Sequence, residues 1–371
     1  MKWGSKRHWG LALAIGGAAL AAGCSQLGYY VQAAQGSYGV LADARPIDDW
    51  LADPGAAATL KTRLQKVKQI RSFAALELGL PDNGTFKTYT DLKRPFVLWN
   101  VVATPEFSMT PAQWCFPIAG CVNYRGYYKK EDAQFFASGL RGEGFDVQVA
   151  GVPAYSTLGW FNDPVLSSFI QYPEPELARL VFHELAHQVV YIAGDSKFNE
   201  AFATAVEEAG LERWLAMHGN DALRNSYLDH KNRKADFLRL LQKARGALED
   251  NYASPAATME KKQRKMAIFD NLQQEYQTLK TVWGGYAGYD RWFGEPLSNA
   301  HLASVATYHD LVPGFRALQK REQTLPRFYA AVAALAAMSK EARHAHLHAL
   351  GQQAPSMTVQ AEAISAMALS D

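Results

Sequence analysis

The sequence predicts an α+β fold, in which a small mixed sheet is followed by a tight hairpin of two helices and a largely helical C-terminal part. Between residues 84 and 157, apolar and aromatic residues recur with a period of two, which is typical of strands. Residues 173–215 predict two consecutive helices that meet at Gly194, and beyond residue 198 the apolar spacing is almost wholly helical. Strands first and helices second indicate the α+β class.

The first 23 residues have the pattern of a signal peptide. A basic start precedes an apolar segment at 11–22 that is too short to span a bilayer. Leu20-Ala-Ala-Gly-Cys24 resembles a lipobox, so we expect cleavage before Cys24 and lipidation of that cysteine, with simple secretion as the alternative. Ser25 would direct such a lipoprotein to the outer membrane, facing the periplasm. Residues 24–45 would form its tether.

Composition limits the function classes. A net charge of +2 and 20% charged residues are typical of a balanced globular chain, so we expect no nucleic-acid partner. Apart from Cys24, the chain contains Cys115 and Cys121, which flank a predicted turn. In an oxidising compartment these two predict a disulfide, and two buried thiols are the alternative.

The elements before the helix hairpin follow in order. Residues 46–80 predict helix, because apolar residues recur there at helical spacing. The period-two segments predict strands at Thr85–Thr90, Phe96–Ala103, Gln113–Ile118, Val122–Tyr128 and Phe145–Val152, with a helix over Lys130–Leu140.

Beyond the hairpin, residues 222–247 and 256–280 predict a long antiparallel helix pair. Its basic segments are interpreted as solvated helix faces. A glycine- and aromatic-rich loop at 283–292 follows, and a further helix begins at Asn299. We expect two lobes, 46–215 with the sheet and the helix hairpin, and 216–371 with the remaining helices.

The first helix of the hairpin carries the motif His183-Glu184-Leu-Ala-His187. Pro173 and Pro175 indicate its start. Two histidines four residues apart lie on one helix face and can bind one Zn²⁺, while Glu184 can take a proton from metal-bound water. The pattern therefore indicates metal-assisted hydrolysis, most often of a peptide bond, and accidental core histidines are the alternative.

Glu200 is the candidate third ligand. The chain rises about 10 Å from His187 to Gly194 and returns about 6 Å to Glu200, which brings this carboxylate near His187. The alternative is a first-turn helix carboxylate, with Asp195 as the substitute ligand. Glu207 and Glu208, two turns further on, are interpreted as a solvated helix face, with the orientation of a metal ligand as the alternative.

Two resemblances support this interpretation. Asn199-Glu200-Ala-Phe-Ala203 resembles the Asn-Glu-x-Phe-Ala signature of gluzincin aminopeptidases, which implies that His183, His187 and Glu200 are zinc ligands and Glu184 the general base. The spacer before Glu200 is shorter than in those enzymes, and their Gly-Ala-Met-Glu-Asn element is missing. Most of the mature chain resembles bacterial lipoproteins known as predicted aminopeptidases, through the segments Trp114–Gly120, Tyr124–Tyr127, Tyr155–Phe161 and Asp163–Pro164.

A sheet followed by a metal-binding helix is the order found in zincins, where an edge strand pairs with the substrate; Phe145–Val152 is our candidate. For the donor that stabilises the oxyanion we expect Tyr308, with His301, Tyr286 and Tyr289 as alternatives. We thus predict a lipid-anchored zinc peptidase acting on peptides, an aminopeptidase by resemblance. An endopeptidase, a cell-wall peptide amidase and a non-catalytic zinc-stabilised envelope scaffold stay open.

Overall fold

The computed structural model describes residues 27–116, 120–306 and 310–353. The signal peptide, Cys24 and Tyr308 therefore lie outside the described residues. Within the described part, short strands alternate with helices as far as residue 166 and only helices follow, so the predicted α+β class is confirmed.

The N-terminal segment that we expected to be a tether is folded. Residues 27–42 form a helix, α1. The ring of Tyr29 stacks on Phe116 and meets Tyr127 edge-on, while Val40 is buried in the main core. These aromatic and apolar contacts bury surface that a solvated tether would leave in water, which is why α1 forms.

The predicted helix at 46–80 divides in two, and the strands form three small sheets within the described residues. The helices are α2 (Ile47–Ala52) and α3 (Ala58–Leu76). The first sheet has the strand order β1 (Arg45–Pro46), β2 (Thr88–Thr90), β8 (Val165–Leu166). The second sheet is antiparallel and has the strand order β6 (Arg125–Tyr127), β3 (Leu98–Pro105), β7 (Phe145–Val152). In the third sheet, β4 (Trp114–Phe116) pairs with β5 (Gly120–Val122).

The second sheet has one covered face and one face directed at a groove. Trp99, Val101 and Val147 alternate inward and pack against helix α4 (Lys130–Gly142). The opposite face carries Asn100 and Gln148, and helix α10 (Asn299–Ala306) crosses it. Strand β7 is an outer strand of this sheet, as expected from its place in the sequence.

Helices form the remainder of the described chain. The predicted long pair is confirmed: α7 and α8 pack along each other and enclose a core of their own. The helices are α5 (Glu174–Ala186), α6 (Ser196–His218), α7 (Asp221–Ala253), α8 (Thr258–Val282), α9 (Asp290–Phe293), α11 (Val312–Glu322), α12 (Leu325–Ala336) and α13 (Lys340–Gln353). Among the described residues, none of these helices combines the length and the apolar composition that crossing a bilayer requires.

Helices α5 and α6 form the predicted hairpin in the centre of the main core. Val181, Phe182 and Leu185 of α5 pack against Phe198 and Phe202 of α6, and all five side chains are fully buried. This apolar packing fixes the two helices against each other, so the polar residues on their shared face keep a defined spacing.

Helix α5 ends at Ala186, although the residues that follow, as far as Ile192, are apolar enough to continue it. The side-chain amide of Asn199 explains the early end. Its Oδ1 accepts from the backbone N–H of Ile192 at 2.9 Å, and its Nδ2 donates to the carbonyl of Ile192 at 2.8 Å. A side chain of α6 thus binds the backbone groups that a longer α5 would use, and residues 187–195 form a loop.

Candidate metal centre

The end of α5 presents three of the predicted site residues. His183 and Glu184 lie in its last turn, and His187 follows as the C-terminal capping residue, whose N–H still donates to the carbonyl of His183. The helix starts as predicted, with Pro173 before it and Pro175 in its first turn. Because α5 persists through this turn, both imidazoles project from one face.

Glu200 completes a group of three metal-ligand side chains. The Nε2 atoms of His183 and His187 are 3.2 Å apart, and the carboxylate of Glu200 lies 3.3 Å from the first and 3.8 Å from the second. Four donors about 2.0–2.1 Å from a tetrahedral zinc ion would lie roughly 3.3–3.4 Å from one another. The separations therefore fit a single small cation with two nitrogen ligands and one oxygen ligand, and these three residues could hold a metal ion.

Glu207 is not part of a solvated face, contrary to our interpretation of the sequence. Its side chain is only 4% exposed, and its Oε2 lies 2.8 Å from Nδ1 of His183. Its other oxygen accepts from Arg179 at 2.8 Å, and Arg179 also donates to Glu176. Glu207 therefore orients the ring of His183 from behind and directs Nε2 toward Glu200, as carboxylates commonly do for metal-binding histidines.

Glu208, the neighbour of Glu207, has a different role. Its two carboxylate oxygens accept from Arg316 of α11 at 2.6 and 2.7 Å. It therefore joins two helices outside the metal-ligand group, and only one of the two neighbouring glutamates serves the site.

Asp195, the substitute ligand, is turned away from the histidines. It caps α6 by accepting from the N–H of Phe198, and its carboxylate lies 2.7 Å from Arg343 and 2.9 Å from His344. His344 and Arg343 thus form an ion-pair cluster with Asp195 that joins α13 to the start of α6. The alternative in which Asp195 replaces Glu200 is wrong in this structure.

The electrostatics of the group favour a bound cation. Burial tends to lower the pKa of His183, but hydrogen bonds to Glu200 and Glu207 outweigh it and raise that pKa. Burial raises the pKa of Glu184 to about 7, although the nearby His183 opposes the shift. Positive charge is therefore retained between the carboxylates even without a metal, while Glu184 can gain or lose a proton near neutral pH.

Two cavities meet at the ligand group. One, of about 260 Å³, is lined by both α5 and α6 and includes Glu184, Glu200 and Lys234 of α7. The other, of about 340 Å³, is a groove along the open face of the second sheet, and it also reaches Glu200. Its polar lining residues include Asn100, Asn123, Tyr124, Gln148 and Ser304. A ligand bound at the three donors could therefore extend into both cavities.

The disulfide hairpin β4–β5 contacts the loop between the metal helices. Cys115 and Cys121 are bonded, which joins β4 to β5 shortly before Tyr124. Gly120 has φ +71°, and a Cβ there would lie 2.5 Å from the backbone nitrogen of Gly194. Only glycine allows this close approach, which joins the hairpin carrying Tyr124 to the α5–α6 loop.

A family model described as "Putative aminopeptidase" matches residues 28–347 of the chain. The chain belongs to this aminopeptidase family. No curated protein and no solved structure matches it significantly. The family region contains all three ligand residues and Glu184, so the match supports a peptidase and the geometry is compatible with a metal-dependent one.

In this aminopeptidase family member, the three alternative oxyanion donors that lie in the described residues, Tyr286, Tyr289 and His301, do not line either cavity at the ligand group. Tyr286 and Tyr289 pack around Trp283 beside the α7–α8 pair. His301 is buried against Trp292 and contacts Ser298. The remaining candidate, Tyr308, lies outside the described residues.

Sequence reasoning missed two residues at the site of this aminopeptidase family member. Tyr124 lines the sheet groove, and desolvation together with the carboxylate of Glu200 raises its pKa. Lys234 lines the smaller cavity, and burial lowers its pKa. Tyr124 lies in one of the segments that carry the family resemblance, and this membership could have indicated it as a site residue. Lys234 lies in a basic segment that looks like any solvated helix face, so nothing in the sequence indicated it.

Proposed function

We propose that this protein is a zinc-dependent aminopeptidase, anchored through lipid on Cys24 at the periplasmic face of the outer membrane. The observation that carries the proposal is the convergence of His183, His187 and Glu200 beside Glu184 in one cavity. Two histidines and one glutamate leave a fourth position open on zinc, which is typical of catalytic rather than structural sites. The family match supports peptide-bond hydrolysis as the reaction.

The donor set favours zinc over harder cations, because imidazole nitrogen is a poor ligand for magnesium or calcium. When bound, zinc would supply Lewis-acid polarisation of the substrate carbonyl and a lowered pKa of water. Glu207 would hold the imidazole of His183 in the tautomer whose Nε2 is free for the metal, because Nδ1 then donates to the carboxylate.

The residues around the three ligands would divide the remaining work. Glu184 would accept a proton at its carboxylate during attack and return it to the leaving amine. The hydroxyl of Tyr124, on the groove side of Glu200, would donate a hydrogen bond to the carbonyl oxygen as negative charge develops there. The outer strand β7 would hold an extended substrate beside the sheet.

The test compares wild type with Glu184→Gln, using protein that begins after Cys24. Glu212→Gln is a matched control, because Glu212 lies on the exposed part of α6. Metal content is measured together with hydrolysis of aminoacyl amides and internally quenched peptides. We expect about one zinc per chain in all three proteins, and release of free amino-terminal residues that Glu184→Gln abolishes and Glu212→Gln retains.

Other results would redirect or refute the proposal. Cleavage of the quenched peptides at internal bonds, dependent on Glu184, would identify an endopeptidase. Full activity in metal-loaded Glu184→Gln would refute the assigned base. Zinc binding without hydrolysis of any peptide would instead support a non-catalytic, zinc-stabilised envelope scaffold. For the anchor, Cys24→Ala should move the protein from the outer-membrane fraction to the soluble periplasm, and unchanged fractionation would contradict lipidation.

A further inference from the structure

The smaller cavity at the ligand group contains a lysine whose ammonium group forms no direct ion pair with a described residue. Lys234 projects from α7 and is partly buried there with Arg179, His183, Glu184 and other residues of α5 and α6. No described residue lies within hydrogen-bond or ion-pair distance of its ammonium group. An ammonium carries three N–H donors, and desolvating it without compensation is costly. Lys234 is therefore positioned for a ligand that enters this cavity.

The neighbouring cations differ from Lys234 in this respect. Arg179 donates to both Glu176 and Glu207. On α7, Lys231 donates to Glu212. Two of the cavity's three carboxylates are likewise engaged, Glu207 by Arg179 and His183, and Glu200 by His183. The third, Glu184, lines the same cavity, but no hydrogen bond or ion pair joins it to Lys234. Among the described cations that line the cavity, Lys234 is therefore the one without a direct ion pair, while the carboxylates of Glu207, Glu208 and Glu176 act on it from a longer range.

Chemistry indicates which part of a substrate reaches Lys234. In peptide hydrolysis the residue that removes a proton from water also protonates the leaving amine, so the leaving part must lie beside Glu184. Glu184 lines the cavity of Lys234, whereas the groove with Tyr124 reaches Glu200 without it. The leaving part would therefore occupy the Lys234 cavity, and the acyl part the groove.

We propose that Lys234 binds a carboxylate of the leaving part, so that the enzyme favours short peptides whose leaving part is a single residue with a free C-terminal carboxylate. The proposal rests on the function proposed above. An ammonium and a carboxylate form a strong charge-assisted hydrogen bond in a partly desolvated site. The cavity of about 260 Å³ is below the ~300–1,000 Å³ of drug-sized pockets, which suits one residue.

The first experiment compares each dipeptide with its C-terminal amide in wild type, Lys234→Gln and Lys231→Gln. The acid and the amide differ only in the charge that Lys234 would bind. We expect wild type to prefer the acid about tenfold or more in kcat/KM, the gain typical of a hydrogen bond to a charged group. Lys234→Gln should lose this preference because its kcat/KM falls for the acid and not for the amide. Lys231→Gln should retain the preference.

A second comparison separates the two sources of a carboxylate. Longer peptides with Asp after the scissile bond are compared with the same peptides carrying Asn. A Lys234-dependent preference for the dipeptide acids, with no preference for Asp, supports the C-terminal carboxylate. A preference that appears only with Asp would overturn that assignment in favour of acidic side chains.

Binding is measured separately from turnover, by calorimetric titration of Glu184→Gln with a dipeptide acid and its amide. Tighter binding of the acid, lost in the double variant with Lys234→Gln, supports the subsite. Hydrolysis with equal use of acid and amide, or an equal loss on both in Lys234→Gln, would overturn it while leaving the peptidase intact. If the wild type hydrolyses no peptide, the proposed function fails, and the subsite fails with it.

Discussion

Glu207 allows the contribution of a carboxylate behind the metal ligands to be measured. It is 3% exposed and contacts both Nδ1 of His183 and Arg179 at 2.8 Å. Glutamine in its place has one acceptor and one donor, so one of these two contacts must be lost. Removal of such a partner typically weakens metal affinity 10–100-fold, or about 1.4–2.7 kcal/mol. We expect Glu207→Gln to weaken zinc affinity by a factor within this range, and Glu207→Ala to weaken it by the upper end of the range or more.

Glu207→Ala should also destabilise the metal-free protein. Breaking a buried ion pair costs ~3–5 kcal/mol when one charge is left alone. Arg179 keeps Glu176, however, and its side chain is 29% exposed, so solvent and the second carboxylate reduce this cost. We therefore expect a loss of about 2–3 kcal/mol in the free energy of unfolding.

The assay for Glu207 is competition for zinc against a chromophoric chelator, with urea unfolding of the chelated protein as the stability measurement. Glu208→Gln is the control, because the adjacent carboxylate pairs with Arg316 instead of His183. It should bind zinc within about twofold of wild type. A folded Glu207→Ala variant that binds zinc as tightly as wild type would refute the reasoning.

Three further predictions concern residues around the site. Gly120→Ala adds left-handed backbone strain of ~1–2 kcal/mol to a 2.5 Å clash with Gly194, so the free energy of unfolding in urea should fall by at least about 2 kcal/mol. In the control Gly139→Ala, where α4 has open space for a Cβ, the free energy of unfolding should stay the same or rise. Burial raises the pKa of Asp163 to about 6 in the folded state, so its stabilising contribution is complete below pH ~4 and is lost as pH rises through 6. Asp163→Asn should therefore exceed wild type in stability by up to roughly 2–3 kcal/mol above pH 7 but not at pH 4, and an equal difference at both pH values would contradict this. Asp195→Ala removes a helix cap and leaves the buried Arg343 without its carboxylate, so the free energy of unfolding should fall by about 2–5 kcal/mol while zinc stoichiometry stays near one. Loss of zinc from a folded variant would restore Asp195 as a ligand.

Local patterns predicted the parts of the site that one element determines by itself. The spacing of His183 and His187 requires only that residues four apart share a helix face, and the proline-marked start of α5 lies where the sequence indicates it. Strand β7 matches its predicted bounds, since its period-two pattern reflects one covered and one open face. Glu200 reached the histidines because a short loop leaves α6 little choice of direction.

Contacts between distant segments were decided by the tertiary structure. Asn199 ends α5 by binding Ile192, although the sequence from 187 to 192 is apolar enough to continue a helix. Glu207 and Glu208 look alike in the sequence, yet one faces His183 and the other Arg316. The physical reason is that periodicity shows which face of a helix is covered, but not which residue covers it.

The sequence by itself therefore determined the α+β class, the helix bearing the histidine motif and the candidate base Glu184. The fold alone decided that Tyr124 and Lys234 line two different cavities that meet at Glu200. Both residues are distant in sequence from the histidine motif. The surroundings of each side chain depend on how α7 and the sheet pack against α5 and α6. Burial and pairing of a charge are properties of that packing, because the same lysine would be solvated on a helix with no neighbour.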